Sequence, residues 1–391
     1  WPAASEWAIA VGAVDRLGRR AAFSCWGDEV DIAAPGVQIV STVPGGGMMS
    51  MDGTCLAKGS YVYTPHGPRT IETMQPGEVV FAFKDGRVVQ RAISAVHNRG
   101  TNTVHKLRAG GRDVLATETH QMLAVNTKKR EIEWVAVKDL RECHRLLLPR
   151  ELPTQVNQNL EAELSDDFCW LLGFFLGDGW LTEMKGSLRV NFAHKPDKSK
   201  MDNLRRIWET TVGKLLKHST NGNWLYDDNT RIATIISALG LNHASVDKTV
   251  PLWLWGLSKK KQGHFFDGYL ASDGYRSNRQ TKTPTLKMEC RPADLVRRLA
   301  CLADYHGWHH TTVSSRTRML KAPNSPEPLE TTSHLVQIMR HRRPVGWSSL
   351  ETNASRKGQR YEVAGTQTAI DMGVDVDALF SASWRLDIDQ G

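Results

Sequence analysis

Long apolar runs are missing from this sequence. No stretch of the 391 residues approaches the roughly 18 consecutive apolar residues that a membrane span needs, so we expect no membrane partner. Cysteine is scarce too, and none of the six cysteines is arranged as Cys-x-x-Cys. This argues against a zinc ribbon and a disulfide framework, and we expect reduced thiols and a cytoplasmic chain. No basic-then-apolar signal segment follows Trp1, so we expect the numbering to begin inside a longer product.

What the sequence does contain is enough apolar residues for a globular chain. It is 40% hydrophobic and 24% charged, which predicts two or three domains with a sizeable core. The net charge is +8, and residues 165–335 hold 24 basic against 17 acidic side chains, so +7 of this charge lies there. Clustered Lys and Arg bind phosphate by releasing its counterions. A polyanionic partner is therefore expected for the middle segment, although a merely soluble basic surface would give the same charge.

Residues 1–54 have a sequence pattern typical of an α/β core. The runs AIAVGAV at 8–14 and VDIAAPGVQIVSTV at 30–43 predict buried strands broken by Pro-Gly turn chemistry. The stretch AVGAVDRLGRRAAFSCWGDEVDIAAPGVQIVST, followed by MDGT, resembles the late core of subtilisin-like serine proteases. In that family a nucleophilic Ser would follow Thr54, but Cys55 stands there. Because nucleophile, base and orienting acid are all missing, we expect no protease activity from this segment.

A cysteine directly after Thr54 has a chemistry of its own. Its thiol lies beside the preceding carbonyl, so an acyl shift through a five-membered ring can turn the peptide into a thioester. The shift needs a thiolate, although a free cysteine has a pKa of about 8.5, and a donor for the leaving nitrogen. In GRDVLATETHQMLAVN, Thr117 and His120 offer a hydroxyl and an imidazole. Neither feature alone indicates catalysis, since a lone Cys is usually a small buried hydrophobic residue and Thr-x-x-His usually lies on the surface.

Together these features resemble the amino-terminal half of an intein. Short alternating segments up to about residue 150 predict an all-β module. CLAKGSYVYTPHGPRTIETMQPGEVVFAF carries the family's opening order and GRDVLATETHQML its second block. The resemblance implies a horseshoe-like all-β Hint splicing fold, whose amino-terminal half would cover 55–155. It also implies roles: Cys55 as first nucleophile, His120 as proton donor to the Cys55 amide nitrogen, and Thr117 as the residue that orients it.

Two related segments occur in the basic middle part. CWLLGFFLGDGW at 169–180 and HFFDGYLASDGY at 264–275 each predict an apolar helix with small residues at four-residue spacing, ending in Asp-Gly. Packed together, such helices would bring Asp178 and Asp273 side by side, and two carboxylates repel unless a hard divalent cation lies between them. The pair predicts a Mg²⁺ site for phosphodiester hydrolysis. One such helix alone would more often be plain core ending in a C-cap.

The pair resembles the two dodecapeptide motifs of LAGLIDADG (DOD-type) homing endonucleases. The resemblance implies a pseudo-two-fold α+β endonuclease over 165–335, acting as a monomer with Mg²⁺ on double-stranded DNA, with the intein-free allele of the host protease gene as target. DKTVPLW resembles the family's Lys-x-x-Pro block and puts Lys248 near the scissile phosphates, while Lys287 and Lys321 are alternatives for a second lysine. The predicted phosphate contacts, each of which taken singly is more often solvated surface, are Lys259, Lys260, Lys261, Arg276, Arg279, Arg316 and Arg318.

The carboxy-terminal part departs from the intein pattern. RYEVAGTQTAIDMGV at 360–374 fits the penultimate block, and we expect the second Hint half to cover 336–378, followed by an uncertain tail at 379–391. If this register holds, Asp377 and Ala378 stand where the family has His-Asn. Without the Asn amide nothing forms the succinimide that releases the intein, so we expect the acyl shift at Cys55 without complete splicing.

The expected architecture is multidomain, with an all-β Hint horseshoe split by an α+β endonuclease and preceded by a partial α/β subtilisin-like segment. The expected function is that of an intein with an amino-terminal acyl shift and Mg²⁺-dependent, site-specific DNA cleavage. Three alternatives stay open at this point. They are Ser381 as a displaced splicing nucleophile, a degenerate DNA-binding remnant without cleavage, and an inactive fragment of a subtilisin-like protease.

Overall fold

A computed structural model of the chain has a mixed α/β fold with many small sheets, and its described residues form six α-helices. No helix in these described residues is long and apolar enough to cross a membrane. The residues that the structure describes are 11–14, 24, 30, 32–35, 39–43, 47–51, 55–84, 87–109, 112–129, 131–141, 143–149, 151–184, 186–193, 198–220, 222–243, 245–276, 285–320, 328–340, 361–363 and 379–388.

The first part of the chain contributes two strand pairs. β1 (Val11–Val14) lies parallel to β2 (Ile32–Pro35), and β3 (Ile39–Val43) lies antiparallel to β4 (Gly47–Met51). A parallel pair requires a crossover connection, which is the arrangement of an α/β core. β1, β2 and β3 fall inside the two apolar runs of the sequence.

Residues 55–149, here called the β unit, contain strands and no α-helix among their described residues. β10 pairs with β5 and with β9, β8 pairs with β9, and β11 lies between β12 and β13. The strands are β5 (Leu56–Ala57), β6 (Tyr61–Thr64), β7 (Gly67–Thr70), β8 (Val79–Lys84), β9 (Arg87–Ala109), β10 (Arg112–Ala116), β11 (Gln121–Asn126), β12 (Glu131–Ala136) and β13 (His144–Pro149).

Residues 151–340, here called the helical unit, contain the six helices. These are α1 (Gln158–Glu163), α2 (Asp166–Asp178), α3 (Lys198–Val212), α4 (Thr230–Ala238), α5 (Lys259–Ser272) and α6 (Ala293–His306). The strands are β14 (Gly179–Met184), β15 (Ser187–Ala193), β16 (Lys217–His218), β17 (Trp224–Asp227), β18 (Gly274–Arg276), β19 (Leu286–Cys290), β20 (His309–His310), β21 (Ser314–Leu320) and β22 (Leu329–Met339).

One order of elements occurs twice in the helical unit. α2 is followed by the β14–β15 hairpin, α3 and the antiparallel pair β16–β17, and the sheet order is β14-β15-β17-β16. α5 is followed by the β18–β19 hairpin, α6 and the antiparallel pair β21–β22, with β19 against β22. The repeat gives each Asp-Gly helix end its own hairpin.

Local sequence sets where the two long central helices begin. Ser165 Oγ accepts the Phe168 N–H at 3.1 Å ahead of α2, and Ser258 Oγ accepts the Lys261 N–H at 3.4 Å ahead of α5.

The largest hydrophobic core of the described residues surrounds α2 and α5, and side chains of the β unit such as Tyr63 pack against it. The β unit and the helical unit therefore share apolar contacts.

Two later strands return to the β unit. β23 (Tyr361–Val363) pairs with β13, and β24 (Leu379–Ile388) lies between β5 and β9. The segment 379–391, which the sequence left as an uncertain tail, thus supplies a central strand. β22 runs through the predicted boundary between 335 and 336, so residues 336–339 belong to the sheet of the helical unit. Asp377 and Ala378 lie outside the described residues.

Candidate active sites

Cys55 lies at the start of β5, where β10 holds its backbone. Ala116 of β10 pairs with Leu56 of β5, so Thr117 and Cys55 meet just beyond that pair. The Cys55 N–H donates to Thr117 Oγ1 at 3.1 Å, and the Thr117 N–H donates to the Cys55 carbonyl at 3.0 Å. Cys55 is 2% exposed and Thr117 is 7% exposed. The pairing of β5 with β10 thus brings two predicted site residues together, and both residues are buried.

His120 is tied to this pair through the backbone. Its N–H donates to the Thr117 carbonyl at 3.0 Å, and its own carbonyl accepts the Val137 N–H at 3.0 Å. Burial lowers the pKa of His120 to about 4, so the imidazole is neutral at pH 7. Its Nδ1 atom is shielded from solvent and has no hydrogen-bond partner among the described residues. A buried imidazole nitrogen left in this state is a cost that a catalytic role would explain.

The second predicted site depends on close contact between α2 and α5. A Cβ atom added to Gly173 would lie 1.9 Å from the Phe265 carbonyl oxygen, and one added to Gly268 would lie 1.8 Å from the Trp170 carbonyl oxygen. These distances leave no room for a side chain, so the helix backbones touch along the glycine faces. Asp178 ends α2, and Asp273 caps the C-terminus of α5.

Lys248 lies at the same helix ends. Its Nζ donates to the Gly177 carbonyl at 2.7 Å, next to Asp178. Burial lowers the pKa of Lys248, while attraction to Asp273 and Asp178 acts in the opposite direction. Lys248 is therefore within electrostatic reach of both carboxylates. The structure brings together all three residues that the sequence predicts for this centre.

The carboxylate pair fits a hard cation such as Mg²⁺. In the described part of the chain no group of three or more His, Cys, Asp or Glu side chains could hold a metal ion. Two carboxylates are nevertheless enough for Mg²⁺, because this ion keeps several waters and takes further oxygen ligands from a substrate phosphate. One oxygen of Asp178, Oδ2, is shielded from solvent.

The three consecutive lysines predicted as phosphate contacts have protein partners instead. Lys259 pairs with Glu151 at 2.9 Å and Lys260 with Asp166 at 2.5 Å. Lys261 contacts both the carboxylate and the backbone carbonyl of Glu161. All three lie in the first turn of α5, roughly 20 Å along the helix from its carboxylate end. Their predicted role as phosphate contacts stays a prediction.

The predicted arginines are distributed differently. Arg276 is exposed on β18, three residues after Asp273, and Arg316 and Arg318 are exposed on β21. Arg318 also donates to Glu289 at 3.2 Å. Arg279 lies outside the described residues, as does Lys321. Of the two candidates for a second lysine, Lys287 lies on β19 opposite Tyr275.

Tyr269 is a residue of this centre that sequence reasoning missed. It is 0% exposed and lies one helical turn before Asp273, whose N–H donates to the Tyr269 carbonyl at 3.0 Å. Burial raises the pKa of Tyr269, and the neighbouring Cys290 and Asp273 act in the same direction. Its spacing of four residues from a predicted catalytic Asp is the signal that could have found it.

Comparison with known proteins gives partial similarities. No family model matches the sequence. The chain is 26% identical over 246 residues to RecA of Mycobacterium tuberculosis (strain ATCC 25618 / H37Rv), covering 58% of this chain and 29% of that protein. It is 36% identical over 106 residues to a subtilisin-like protease of Coccidioides posadasii (strain C735), covering 27% of this chain and 25% of that protein. The chain spans less than a third of the length of these curated relatives.

Among solved structures, the chain is similar to a DnaB intein from Synechocystis sp. PCC 6803. The identity is 18%, the TM-score is 0.23, and the similarity covers 25% of this chain and 70% of that chain.

Proposed function

We propose that the chain is an intein that interrupts a subtilisin-like host and begins at Cys55. The observation that carries this proposal is the reciprocal pair of hydrogen bonds between Cys55 and Thr117, together with the neutral His120, whose backbone N–H donates to the Thr117 carbonyl. A buried thiol, a hydroxyl at the scissile amide and an imidazole are the groups that an N-to-S acyl shift requires. Cys55 is 62 residues from Thr117 in sequence.

In the proposed reaction Cys55 Sγ attacks the Thr54 carbonyl carbon. The C–S bond forms, the C–N bond to Cys55 breaks, and the nitrogen gains a proton and becomes a free amine. Thr117 Oγ1 holds the scissile N–H, which fixes the amide before attack. The neutral His120 imidazole is proposed to accept the Cys55 thiol proton and to deliver it to the leaving nitrogen, so that it ends the step neutral again. The proposal stops at the thioester, since Asp377 and Ala378 stand where the family has His-Asn.

The host assignment has separate support. The parallel strands β1 and β2 suit an α/β core, and similarity to a subtilisin-like protease covers 27% of this chain. The similarity to RecA covers 58% of the chain and extends well beyond a protease-like segment of 54 residues. One segment shared by proteins with unrelated names is expected of an element inserted into different hosts.

The acyl shift predicts cleavage by an added thiol. Incubating the full chain with dithiothreitol should release a fragment that ends at Thr54, because the thiol exchanges with the thioester. Mass spectrometry identifies the fragment. Cys55→Ala should release none, and Thr117→Val should release it at least tenfold more slowly because the hydroxyl at the scissile amide is lost. Absence of the Thr54 fragment from the wild-type chain would refute the proposal.

We also propose that the helical unit cleaves double-stranded DNA with Mg²⁺. Asp178 and Asp273 would hold the ion, which when bound supplies an activated water and stabilises the leaving oxygen. Lys248 holds its cation beside both carboxylates, where a scissile phosphate would lie. The proposal is supported by the order of elements, because a helix followed by a hairpin occurs twice and each of the two helices ends at one of these Asp residues.

One sheet face of the helical unit suits contact with DNA. Val190, Phe192 and Leu225 are 0% exposed on the inner face of the β14–β17 sheet, so Arg189 and Tyr226, which alternate with them along β15 and β17, lie on the other face. On that outer face the Arg189 guanidinium lies 4.2 Å from the centre of the Tyr226 ring and also pairs with Asp228 at 2.6 Å. A face that combines cations with aromatic rings supports a nucleic-acid partner.

The DNA proposal is tested with a duplex that contains the uninterrupted protease gene. Cleavage should require Mg²⁺ and should fall by about 100-fold or more in Asp178→Asn, because one metal ligand is lost. Asp166→Asn at the opposite end of α2 is the matched control and should cleave at the wild-type rate. A wild-type chain that binds this duplex without cutting it would instead indicate a DNA-binding remnant.

A further inference from the structure

A buried carboxylate joins the helical unit to the β unit. Asp304 of α6 is 6% exposed and accepts hydrogen bonds from the Tyr63 hydroxyl and the Arg112 guanidinium. Nε2 of His310 lies 3.1 Å from Asp304 Oδ1. Burial alone would raise the pKa of Asp304, but Arg112 and His310 outweigh it and hold this pKa well below its usual range. The Asp304 carboxylate is therefore ionised and is held in place by these three partners.

Arg112 begins the strand that ends at the acyl-shift site. β10 runs from Arg112 to Ala116, and Thr117 follows directly. Five residue pairs join β10 to β9, but a single pair, Ala116 with Leu56, joins it to β5. On the β5 side, the alignment of Thr117 with Cys55 therefore rests on this one residue pair and on the two Cys55–Thr117 hydrogen bonds. An anchor at the other end of β10, roughly 17 Å away along an extended strand, would limit its tilt and sliding.

α6 contains a second acid that serves as an internal comparison. Asp294 accepts hydrogen bonds from the Tyr61 hydroxyl and the Thr249 hydroxyl. Tyr61 and Tyr63 both belong to β6, so Asp294 and Asp304 attach the same strand to the same helix. Among the described residues, Asp304 also accepts a hydrogen bond from Arg112 of β10, whereas Asp294 does not. A substitution at Asp294 therefore disturbs the interface without touching β10.

We propose that Asp304 is a positioning residue for the acyl shift at Cys55. Through Arg112 it fixes β10, and β10 carries Thr117 to the scissile amide. The inference rests on the proposed acyl shift and extends it, because it makes a residue of the helical unit necessary for the geometry at Cys55. The β unit would then process poorly without α6, even where it stays folded.

The test measures dithiothreitol-induced cleavage of the full chain over a range of thiol concentrations. Asp304→Asn should lower the maximum rate at least tenfold, because at saturating thiol the acyl shift itself limits the rate. Asp294→Asn should stay within twofold of the wild type. Arg112→Gln should behave like Asp304→Asn, and the double variant should be no slower than the slower single variant, because both changes break one contact. Equal rates in Asp304→Asn and wild type would overturn the inference.

Amide hydrogen exchange at Thr117 gives a readout that does not depend on activity. Asp304→Asn should speed exchange of this N–H, which donates to the Cys55 carbonyl, by tenfold or more, and Asp294→Asn should not. Unchanged protection, or equal loss in both variants, would overturn the positioning role. A wild-type chain that releases no Thr54 fragment refutes the acyl shift itself, whereas the exchange comparison still decides the role of Asp304. If Asp304→Asn does not fold, the same two measurements on Arg112→Gln test the positioning role. This variant is expected to fold, because Arg112 is 24% exposed and its loss leaves Asp304 with two other partners.

Discussion

At the scale of single residues, burial controls the charge of His120, the histidine of the proposed acyl-shift site. The pKa of His120 is about 4 in the folded chain against 6.5 ordinarily, so only the unfolded chain takes up this proton between those values. The stability due to the neutral His120 is complete above pH 6.5 and is lost as pH falls toward 4. From pH 7 to pH 4.5 we expect this group to remove about 2 kcal/mol from the free energy of unfolding. Urea unfolding at both pH values measures the loss.

The matched variant for this prediction is His120→Gln, which lacks the titrating group. Burial also lowers the pKa of His306, to about 3, but His306 is present in both proteins and cancels in the comparison. The pH-dependent loss of stability should be smaller in the variant than in the wild type by the amount due to His120. Identical pH dependence in the two proteins would show that the imidazole is not held neutral by burial.

Lys248 provides a second residue-scale prediction. If the proposed DNA cleavage is correct, Lys248→Met should lower its rate by about 100-fold, because it removes the cation that lies near Asp178 and Asp273. DNA binding should change much less, since Lys248 is one of 24 basic residues in 165–335. Cleavage and gel-shift assays separate the two effects. Lys260→Met, at the distant end of α5 and paired with Asp166, should cleave like the wild type. Equal rates for both variants would exclude a role for Lys248.

At the scale of elements, glycine spacing fixes the contact between α2 and α5. Gly173→Ala places a Cβ atom 1.9 Å from the Phe265 carbonyl oxygen, so the helices must separate. We expect a loss of about 2 kcal/mol or more in the free energy of unfolding, together with loss of DNA cleavage, because the two Asp residues move apart. Chemical denaturation and the cleavage assay measure both.

The control for the helix contact lies on α5 itself. A Cβ atom added to Gly263 would meet nothing within 4 Å, so Gly263→Ala should stabilise the helix by roughly 0.5–1 kcal/mol. If Gly173→Ala lowers the free energy of unfolding and Gly263→Ala raises it, direct backbone contact at Gly173 is the reason for the glycine there. Destabilisation of equal size by both would mean that the glycines serve flexibility rather than close approach.

Elements differ in how far their sequence reveals them. The glycine pattern predicts the α2–α5 contact because it is a property of each helix taken alone. The ion pairs of Lys259, Lys260 and Lys261 could not be predicted in this way, since the partners Glu151, Asp166 and Glu161 precede them by about a hundred residues. A run of three lysines has the same sequence signature whether it faces phosphate or carboxylate.

At the scale of the whole molecule, the same limit applies to contacts between distant strands. Cys55, Thr117 and His120 could be singled out because their residue types and order carry the chemistry. The anchor at Asp304 could not, because Tyr63 and Arg112 are 241 and 192 residues away from it. β24 was missed for the same reason, since its partner β5 lies more than 300 residues earlier in the chain.

The position of β24 leads to a prediction for the complete chain. Ser383 pairs with Ala57 of β5, and β24 also pairs with β9, so its removal would open the sheet beside Cys55. A chain ending at residue 378 should lose thiol-induced cleavage at Thr54, whereas one ending at 388 keeps β24 and should retain it. DNA cleavage by the shortened chain should persist, because β24 pairs with strands of the β unit and not with those of the helical unit. Retained thiol cleavage without β24 would mean that β10 alone holds β5 in place, and loss of both activities would mean that the two units fold only together.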